Sequence, residues 1–283
     1  MTIAAAFCLN DSILMCADTE HSASQGKFSE SKIIQWRNGK MAVLVSFAGD
    51  SQLSRATIDD YIRKLERNKA TLDSLDRLLN LLQRVAAKHY ANNPTDECSL
   101  MFSISWHDQL RLYETYRGYI LPHGDKCCIG SGADIVRYLT DNLFKNNLSP
   151  EVALGVAAYA IGQAKIQASG VGGRTDAYLL MKNGETRPFS SEHLERLEKF
   201  MGLFVMNCRD LIIPILASDD ALVEKAGIGF LYGIKVVRAA LGLDDHNRFA
   251  KPGTAKVMLQ EVIKPGVSSP LQITGEEPKP DKS

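Results

Sequence analysis

The chain has 283 residues, 33 basic and 33 acidic side chains and 45% hydrophobic residues, a composition typical of a globular protein. Zero net charge argues against a nucleic-acid or anionic-membrane partner, no apolar stretch is long enough to span a bilayer, and the N-terminus lacks the basic region of a secretory signal. The six cysteines include no Cys-x-x-Cys pair and the six histidines are isolated. The sequence therefore predicts no metal site, no cofactor and a reduced, cytoplasmic setting.

Short apolar runs separated by turns predict strands in the N-terminal part, with a polar loop between Thr19 and Ser31. The Asn38-Gly39 pair between two apolar runs is a strong hairpin signal. The predicted strands are Ile3–Cys8, Ile13–Ala17, Ile33–Trp36 and Met41–Phe47.

Helical periodicity begins after Gly49 and returns in several later segments of the chain. Thr71 is a predicted cap for a second helix, whose apolar stripe runs from Leu72 to Ala86, and Ser149 before Pro150 marks the start of another helix. The remaining predicted elements are strands at Leu100–Trp106, Leu110–Tyr116, Lys126–Ile129 and Thr175–Met181, and helices from Ala133 to Asn146 and from Ser149 to Ala168. This order predicts an α+β fold in which two sheets face each other, each with an outer helical layer.

The last third of the chain has a different pattern. We expect a core domain over residues 2–190, a helical extension over residues 191–262 and a flexible, Pro-rich tail over residues 263–283. Within the extension, the predicted helices are Glu192 to Ile213 and Asp219 to Leu241. We expect this extension to contact a neighbouring subunit or to cover a sheet edge.

Thr2 directly follows the initiator methionine. Removal of Met1 would place a hydroxyl and a free α-amine on one residue, and an α-amine with a pKa of about 7.7 to 8.0 can accept the hydroxyl proton through water. Many chains begin with Met-Thr without catalytic meaning, so Thr2 alone is weak support. The motifs of serine hydrolases, zinc proteases and P-loop enzymes are absent from the sequence.

Several segments, in order, carry a family resemblance. The stretch from Thr2 to Thr19, with Asp18 sixteen residues after Thr2, resembles the start of a mature proteasome β-subunit. Four further segments resemble landmarks of the same family: Ser31-Lys32-Ile33-Ile34, Ser46-Phe47-Ala48-Gly49-Asp50, Ile129-Gly130-Ser131-Gly132-Ala133, and Ala160-Ile161 followed by Gly172-Gly173. The resemblance covers residues 2 to about 190. A start without a propeptide beyond Met1 is similar to the bacterial proteasome-related ATP-dependent protease.

The resemblance implies a four-layer αββα sandwich of the N-terminal nucleophile (Ntn) hydrolase type and a threonine peptidase activity. Thr2 would be the nucleophile, Lys32 would lower the pKa of its hydroxyl and amine, and Asp18 would hold Lys32. The backbone N–H of Gly49 would donate to the oxyanion, and Ser131 would support the terminal amine. The pocket for the side chain before the cleaved bond would contain His21, Ile34 and Phe47.

The family also implies partners: a peptide or unfolded-protein substrate, a ring of identical subunits and an ATP-dependent unfoldase. One departure from its pattern stands out, because Ala168 and Val171 occupy positions where the family has a hydrogen-bonding Asp and Ser. Three functions therefore stay open on the sequence alone: a threonine peptidase, a catalytically inactive structural subunit of the same fold, and an Ntn amidase acting on small amides.

Overall fold

A computed structural model describes residues 2–23, 26–69, 71–94 and 98–202, together with the single positions 205, 232, 234 and 235. The predicted Pro-rich tail and nearly all of the predicted extension beyond residue 202 lie outside the described residues. Among the residues that are described, no helix is both long enough and apolar enough to cross a membrane.

The described residues form strands and helices in the alternating groups that the sequence predicts. The strands are β1 (Ile3–Cys8), β2 (Ser12–Asp18), β3 (Glu20–Ala23), β4 (Gly26–Ser29), β5 (Ile33–Asn38), β6 (Met41–Gly49), β7 (Cys98–Trp106), β8 (Gln109–Tyr116), β9 (Tyr119–His123), β10 (Lys126–Gly130), β11 (Thr175–Met181) and β12 (Thr186–Pro188). The helices are α1 (Ser51–Asn68), α2 (Leu75–Asn92), α3 (Ala133–Asp141), α4 (Pro150–Gln167) and α5 (residues 191–202).

The strands form three antiparallel sheets. The first has the order β10-β1-β2-β11-β12, the second has the order β5-β6-β7-β8-β9, and β3 pairs with β4 in a separate hairpin. The first sheet therefore collects the N-terminal hairpin and strands from much later in the chain, whereas the second is a meander of sequential neighbours. The prediction of a mixed fold with two main sheets is confirmed.

Three clusters of buried side chains explain how these elements pack. One cluster lies between the first sheet and the helices α3, α4 and α5, and a second lies between the second sheet and the helices α1 and α2. The third cluster draws side chains from both five-stranded sheets. On β1 the alternation is clear, because Ala4 and Ala6 belong to this third cluster while Ile3, Ala5 and Phe7 belong to the first.

Several local features differ from the prediction, and one of them is the short strand β12, which was not predicted. The polar stretch predicted as a loop contains β3 and β4. The residues of β4 are all exposed, so this strand lacks the alternation of apolar and polar residues by which a strand is predicted. Strand β9 was not predicted, since it contains Pro122 and lies at the edge of its sheet. Helix α2 is capped by Ser74, not Thr71, and α3 ends at Asp141, before the predicted Asn146.

Helix α5 begins directly after the predicted domain boundary at residue 190 and packs on the core. Its Leu194 and Leu197 are completely buried in the cluster beneath α4. Lys165 of α4 forms a short ion pair with Glu198, with its Nζ 2.9 Å from both carboxylate oxygens. At least this first part of the predicted extension is thus joined to the core, and the predicted boundary itself stays a prediction.

Candidate active site

The carboxylate of Asp18, at the end of β2, is the centre of a buried polar cluster. Its Oδ1 accepts hydrogen bonds from the backbone N–H of Ile3 at 3.0 Å and from Lys32 Nζ at 2.8 Å. Its Oδ2 accepts from the backbone N–H of Gly172 at 3.1 Å. Three charged or polar donors from distant segments therefore satisfy one carboxylate that is fully buried.

Lys32 is the second buried charge. Its side chain is 1% exposed, and its ammonium also donates to the backbone carbonyl of Glu20 at 2.5 Å. Burial lowers the pKa of Lys32, because desolvation penalises the ammonium, and the Asp18 carboxylate opposes that effect. The position immediately before β5 brings this cation to the polar end of β2.

Thr2 precedes β1 and is held through its backbone carbonyl. That oxygen accepts from the Ser131 hydroxyl at 3.4 Å and from the Gly132 N–H at 3.5 Å. Opposite β1, Gly130 has a φ of +98°, and a Cβ there would lie 2.1 Å from the Thr2 oxygen. The Gly130-Ser131-Gly132 segment thus needs its first glycine for the close approach to Thr2. The described contact of Ser131 is to the Thr2 carbonyl, whereas its predicted role concerned the amine.

Gly49 lies at the end of β6, on the same side of the molecule. Ala48 is the link, since its Cβ lies 3.2 Å from the point that a Gly130 Cβ would occupy. Gly49 itself has a φ of +96°, and Asp50 then caps α1 by accepting from the Leu53 N–H at 2.7 Å. The strand-to-helix turn that was predicted to supply the oxyanion donor is therefore next to the Thr2 segment.

Two of the three predicted pocket residues are in contact. The His21 ring is 6.0 Å from the Phe47 ring and stacks on Phe28 at 5.0 Å. Ile34 packs against the core cluster that contains Phe47. Burial lowers the pKa of His21, and the neighbouring charges of Lys32 and Arg55 lower it further.

Position 171 belongs to the apolar core, and its neighbour Gly172 belongs to the polar cluster around Asp18. Val171 is buried in the core cluster beneath α4, and the adjacent Gly172 donates its backbone N–H to Asp18. Thr19 adds a second link, because its hydroxyl oxygen accepts from the Arg174 N–H at 2.9 Å. Sequence reasoning missed Gly172 and Thr19 as site residues; the Gly172-Gly173 pair was the available signal.

Taken together, these contacts can support nucleophile chemistry at the N-terminus. A buried cation, a carboxylate that orients it and a glycine turn all lie around the first residues of β1. A positive charge near a hydroxyl or an amine lowers its pKa, which makes the nucleophile easier to deprotonate.

Comparisons with known proteins identify the fold. No protein-family model matches the sequence, and no curated protein matches it. Among solved structures, Anbu (ancestral beta-subunit) from Yersinia bercovieri superposes with a TM-score of 0.65 at 13% identity, over 73% of this chain and 95% of its own. Anbu from Hyphomicrobium sp. strain MC1 gives a TM-score of 0.61 at 16% identity, over 70% and 92% of the two chains. The Gly-1 mutant of the latter gives 0.62 at 15% identity, with the same coverage.

Proposed function

We propose that this chain, which shares the fold of Anbu, is a proteasome-like Ntn hydrolase that cleaves peptide bonds through Thr2 after removal of Met1. The observation that carries the proposal is the Asp18 carboxylate, which joins the ammonium of Lys32 to the backbone N–H of the residue after Thr2. A fully buried Lys–Asp pair is costly to maintain, so its position beside the proposed nucleophile favours a functional role.

The proposed reaction is acyl transfer in two steps. The Thr2 α-amine accepts the hydroxyl proton through water, Oγ1 attacks the carbonyl carbon, and the oxyanion accepts a hydrogen bond from the Gly49 N–H. The amide C–N bond then breaks, and the proton passes from the α-amine to the leaving amine. Water, deprotonated by the same α-amine, attacks the ester carbon and releases the acid, which restores the Thr2 hydroxyl.

In this mechanism Lys32 and Asp18 adjust the nucleophile. The Lys32 charge lowers the pKa of the Thr2 hydroxyl and α-amine, and Asp18 orients Lys32. Ser131 supports the Thr2 backbone, and His21, Ile34 and Phe47 form the apolar pocket for the substrate side chain before the cleaved bond.

We further propose the full architecture and assembly that go with this activity. The three core clusters support a four-layer αββα sandwich, in which helices cover both outer sheet faces. A ring of identical subunits would enclose the active sites, and an ATP-dependent unfoldase would deliver unfolded protein to it. The mass of the assembled particle, measured by light scattering, tests the ring.

One observation favours a second candidate function. Ala168 and Val171 remove two side-chain hydrogen bonds that the proteasome pattern has, which fits a catalytically inactive structural subunit. A small-amide Ntn amidase is a third candidate with the same nucleophile and a different substrate.

The deciding experiment combines intact mass with substitutions of Thr2. We expect the mass of the active protein to lack Met1, Thr2→Ala to lose about 10³-fold or more in peptide turnover, and Thr2→Ser to retain much of it. The exposed Thr71→Ala is the matched control and should be unchanged. Retention of Met1 on active protein, or unchanged turnover in Thr2→Ala, would refute the proposal. Turnover of small acyl-amides in place of peptides would identify the amidase.

A further inference from the structure

Away from Thr2, the side chains of Glu114, His123 and Cys127 converge at one end of the interface between the sheets. One ligand-type atom from each lies within 4.8 Å of the other two, the single such group of three in the described part of the chain. The register separates this group from the candidate active site. Cys127 pairs with Ala6, whereas Gly130, beside the Thr2 site, pairs with Ile3. Three residues along a strand span about 10 Å.

The topology explains why these three residues meet. His123 ends β9, the chain crosses between the sheets through Gly124 and Asp125, and Cys127 is the second residue of β10. Because Leu112 lies opposite His123 and side chains alternate, Glu114 points to the same sheet face as His123. Leu112 and Cys127 both belong to the cluster shared by the two sheets. The second sheet thus provides a carboxylate and an imidazole, and the first provides a thiol.

The distances agree with those of a tetrahedral zinc centre. His123 Nε2 lies 3.2 Å from Glu114 Oε2, and Cys127 Sγ lies 3.7 Å from the same oxygen. Tetrahedral zinc, with bonds of about 2.0–2.2 Å to N or O and about 2.3 Å to S, separates an N and an O ligand by about 3.3 Å and an S and an O ligand by about 3.6 Å. Two edges of the ligand triangle therefore already have the required lengths.

We propose that Glu114, His123 and Cys127 bind a zinc ion that joins the two sheets. Thiolate, imidazole and carboxylate together suit zinc, whereas magnesium and calcium prefer oxygen ligands alone. One carboxylate and one thiolate balance the charge of Zn²⁺. The nearby cations do not compete for Glu114, because Lys126 is paired with Asp141 and Arg137 with Asp134.

Water is the expected fourth ligand of the proposed zinc ion. The His123 side chain is 30% exposed, so water can complete the tetrahedron and zinc can enter from solvent. On binding, the Cys127 sulfur exchanges its proton for the metal, and the proton is released to the buffer. The spacing of His123 and Cys127, with three residues between them, is a signal visible in the sequence, but the sequence does not indicate that Glu114 joins them.

The test is zinc binding to tag-free, chelator-treated protein, followed by calorimetry. We expect one zinc per chain, and a melting temperature raised by roughly 5–10 °C when zinc is 100-fold above its Kd. Cobalt in place of zinc should give the near-ultraviolet thiolate charge-transfer band and the visible bands of a tetrahedral site. Cys127→Ser should abolish the thiolate band, and Glu114→Gln and His123→Gln should weaken zinc binding at least tenfold.

Matched variants keep this test specific. Cys128→Ser alters the adjacent buried thiol, which belongs to the other core cluster, and should leave zinc affinity and the cobalt spectrum unchanged. Thr2→Ala should also bind zinc normally, so the site stands or falls independently of the proposed peptidase activity. Absence of zinc binding in the parent protein would overturn the proposal. The proposal would also be overturned if Cys127→Ser and Glu114→Gln bound zinc as tightly as the parent protein while retaining its circular dichroism.

Discussion

Lys32 and Asp18 form an ion pair with an N–O distance of 2.8 Å and side chains that are 1% and 0% exposed. In such a pair the two charges depend on each other, because either one alone would be a buried charge without its counter-charge, with only backbone hydrogen bonds left. The pair therefore affects the stability of the fold as well as the proposed chemistry.

The substitution Asp18→Asn tests this dependence. It should lower the free energy of unfolding by about 3–5 kcal/mol, since Lys32 would lose its buried counter-charge. Asp11→Asn is the matched control, because Asp11 pairs with Lys182 at the surface, where such a pair contributes about 0–1 kcal/mol. Urea denaturation of both variants measures the difference. Equal losses in the two variants would contradict the argument.

The pH dependence of stability should reveal His21. Burial and the charges of Lys32 and Arg55 lower its pKa below 6.5, while Glu30 opposes them. Below pH 6.5, His21 therefore becomes protonated in the unfolded chain while it stays neutral in the folded chain. The free energy of unfolding decreases as the pH falls, until the pH reaches the lower pKa that His21 has in the folded protein.

The measurement is urea denaturation between pH 7.5 and pH 5. We expect His21→Asn to lose less stability over this interval than the parent protein. The exposed Thr71 provides the control Thr71→Ala, which changes no titratable group, so its pH profile should match that of the parent. An identical slope for His21→Asn and the parent would exclude His21 as the source.

The close approach of Gly130 to Thr2 predicts a position that tolerates no side chain. Gly130→Ala would set a Cβ 2.1 Å from the Thr2 carbonyl oxygen, so the start of β1 has to move. Gly39 also has a positive φ, but a Cβ there meets nothing within 4 Å. Gly39→Ala should cost about 1 kcal/mol from backbone strain alone, and Gly130→Ala at least twice that.

Hydrogen exchange distinguishes a local from a general effect of Gly130→Ala. The amides of β1 and of Gly132 should exchange faster in this variant, whereas those of β7 should not. Full protection of β1 in Gly130→Ala would show that the approach is not required.

The packing of α5 against the core can be tested by substituting its buried leucines. Leu197→Ala removes a completely buried side chain from the cluster beneath α4 and should cost about 2–5 kcal/mol. Leu143 is 48% exposed, so Leu143→Ala should cost less than about 1 kcal/mol. A similar small loss for both variants would mean that α5 folds as a separate unit.

Much of the fold follows from local patterns. The turn at Asn38-Gly39 predicted β5 and β6 correctly, and the helical spacing of Ile58, Tyr61 and Leu65 predicted α1, in which all three are buried. Elements without an apolar period were missed, as the exposed strand β4 shows. The order of strands in the first sheet is a tertiary property, because β1 pairs with β10, about 120 residues later in the chain.

The candidate site was harder to predict from the sequence than the fold. Asp18 and Lys32 are ordinary charged residues in the sequence, and only the resemblance to proteasome β-subunits brought them together with Thr2. The Gly172-Gly173 pair marks the segment, but which of its backbone N–H groups reaches Asp18 depends on the final packing. The contact between Glu114 and Cys127 joins two sheets and likewise depends on the final packing.

The three donors to Asp18 come from residues 3, 32 and 172, and the last is 154 positions away. A chain still being synthesised therefore has no complete donor set until residue 172 has left the ribosome and β11 has paired with β2. A nascent or truncated chain carries Thr2 but not the environment proposed to activate it. The topology thus sets the order of events, because the proposed active site is complete only in a chain that has already folded.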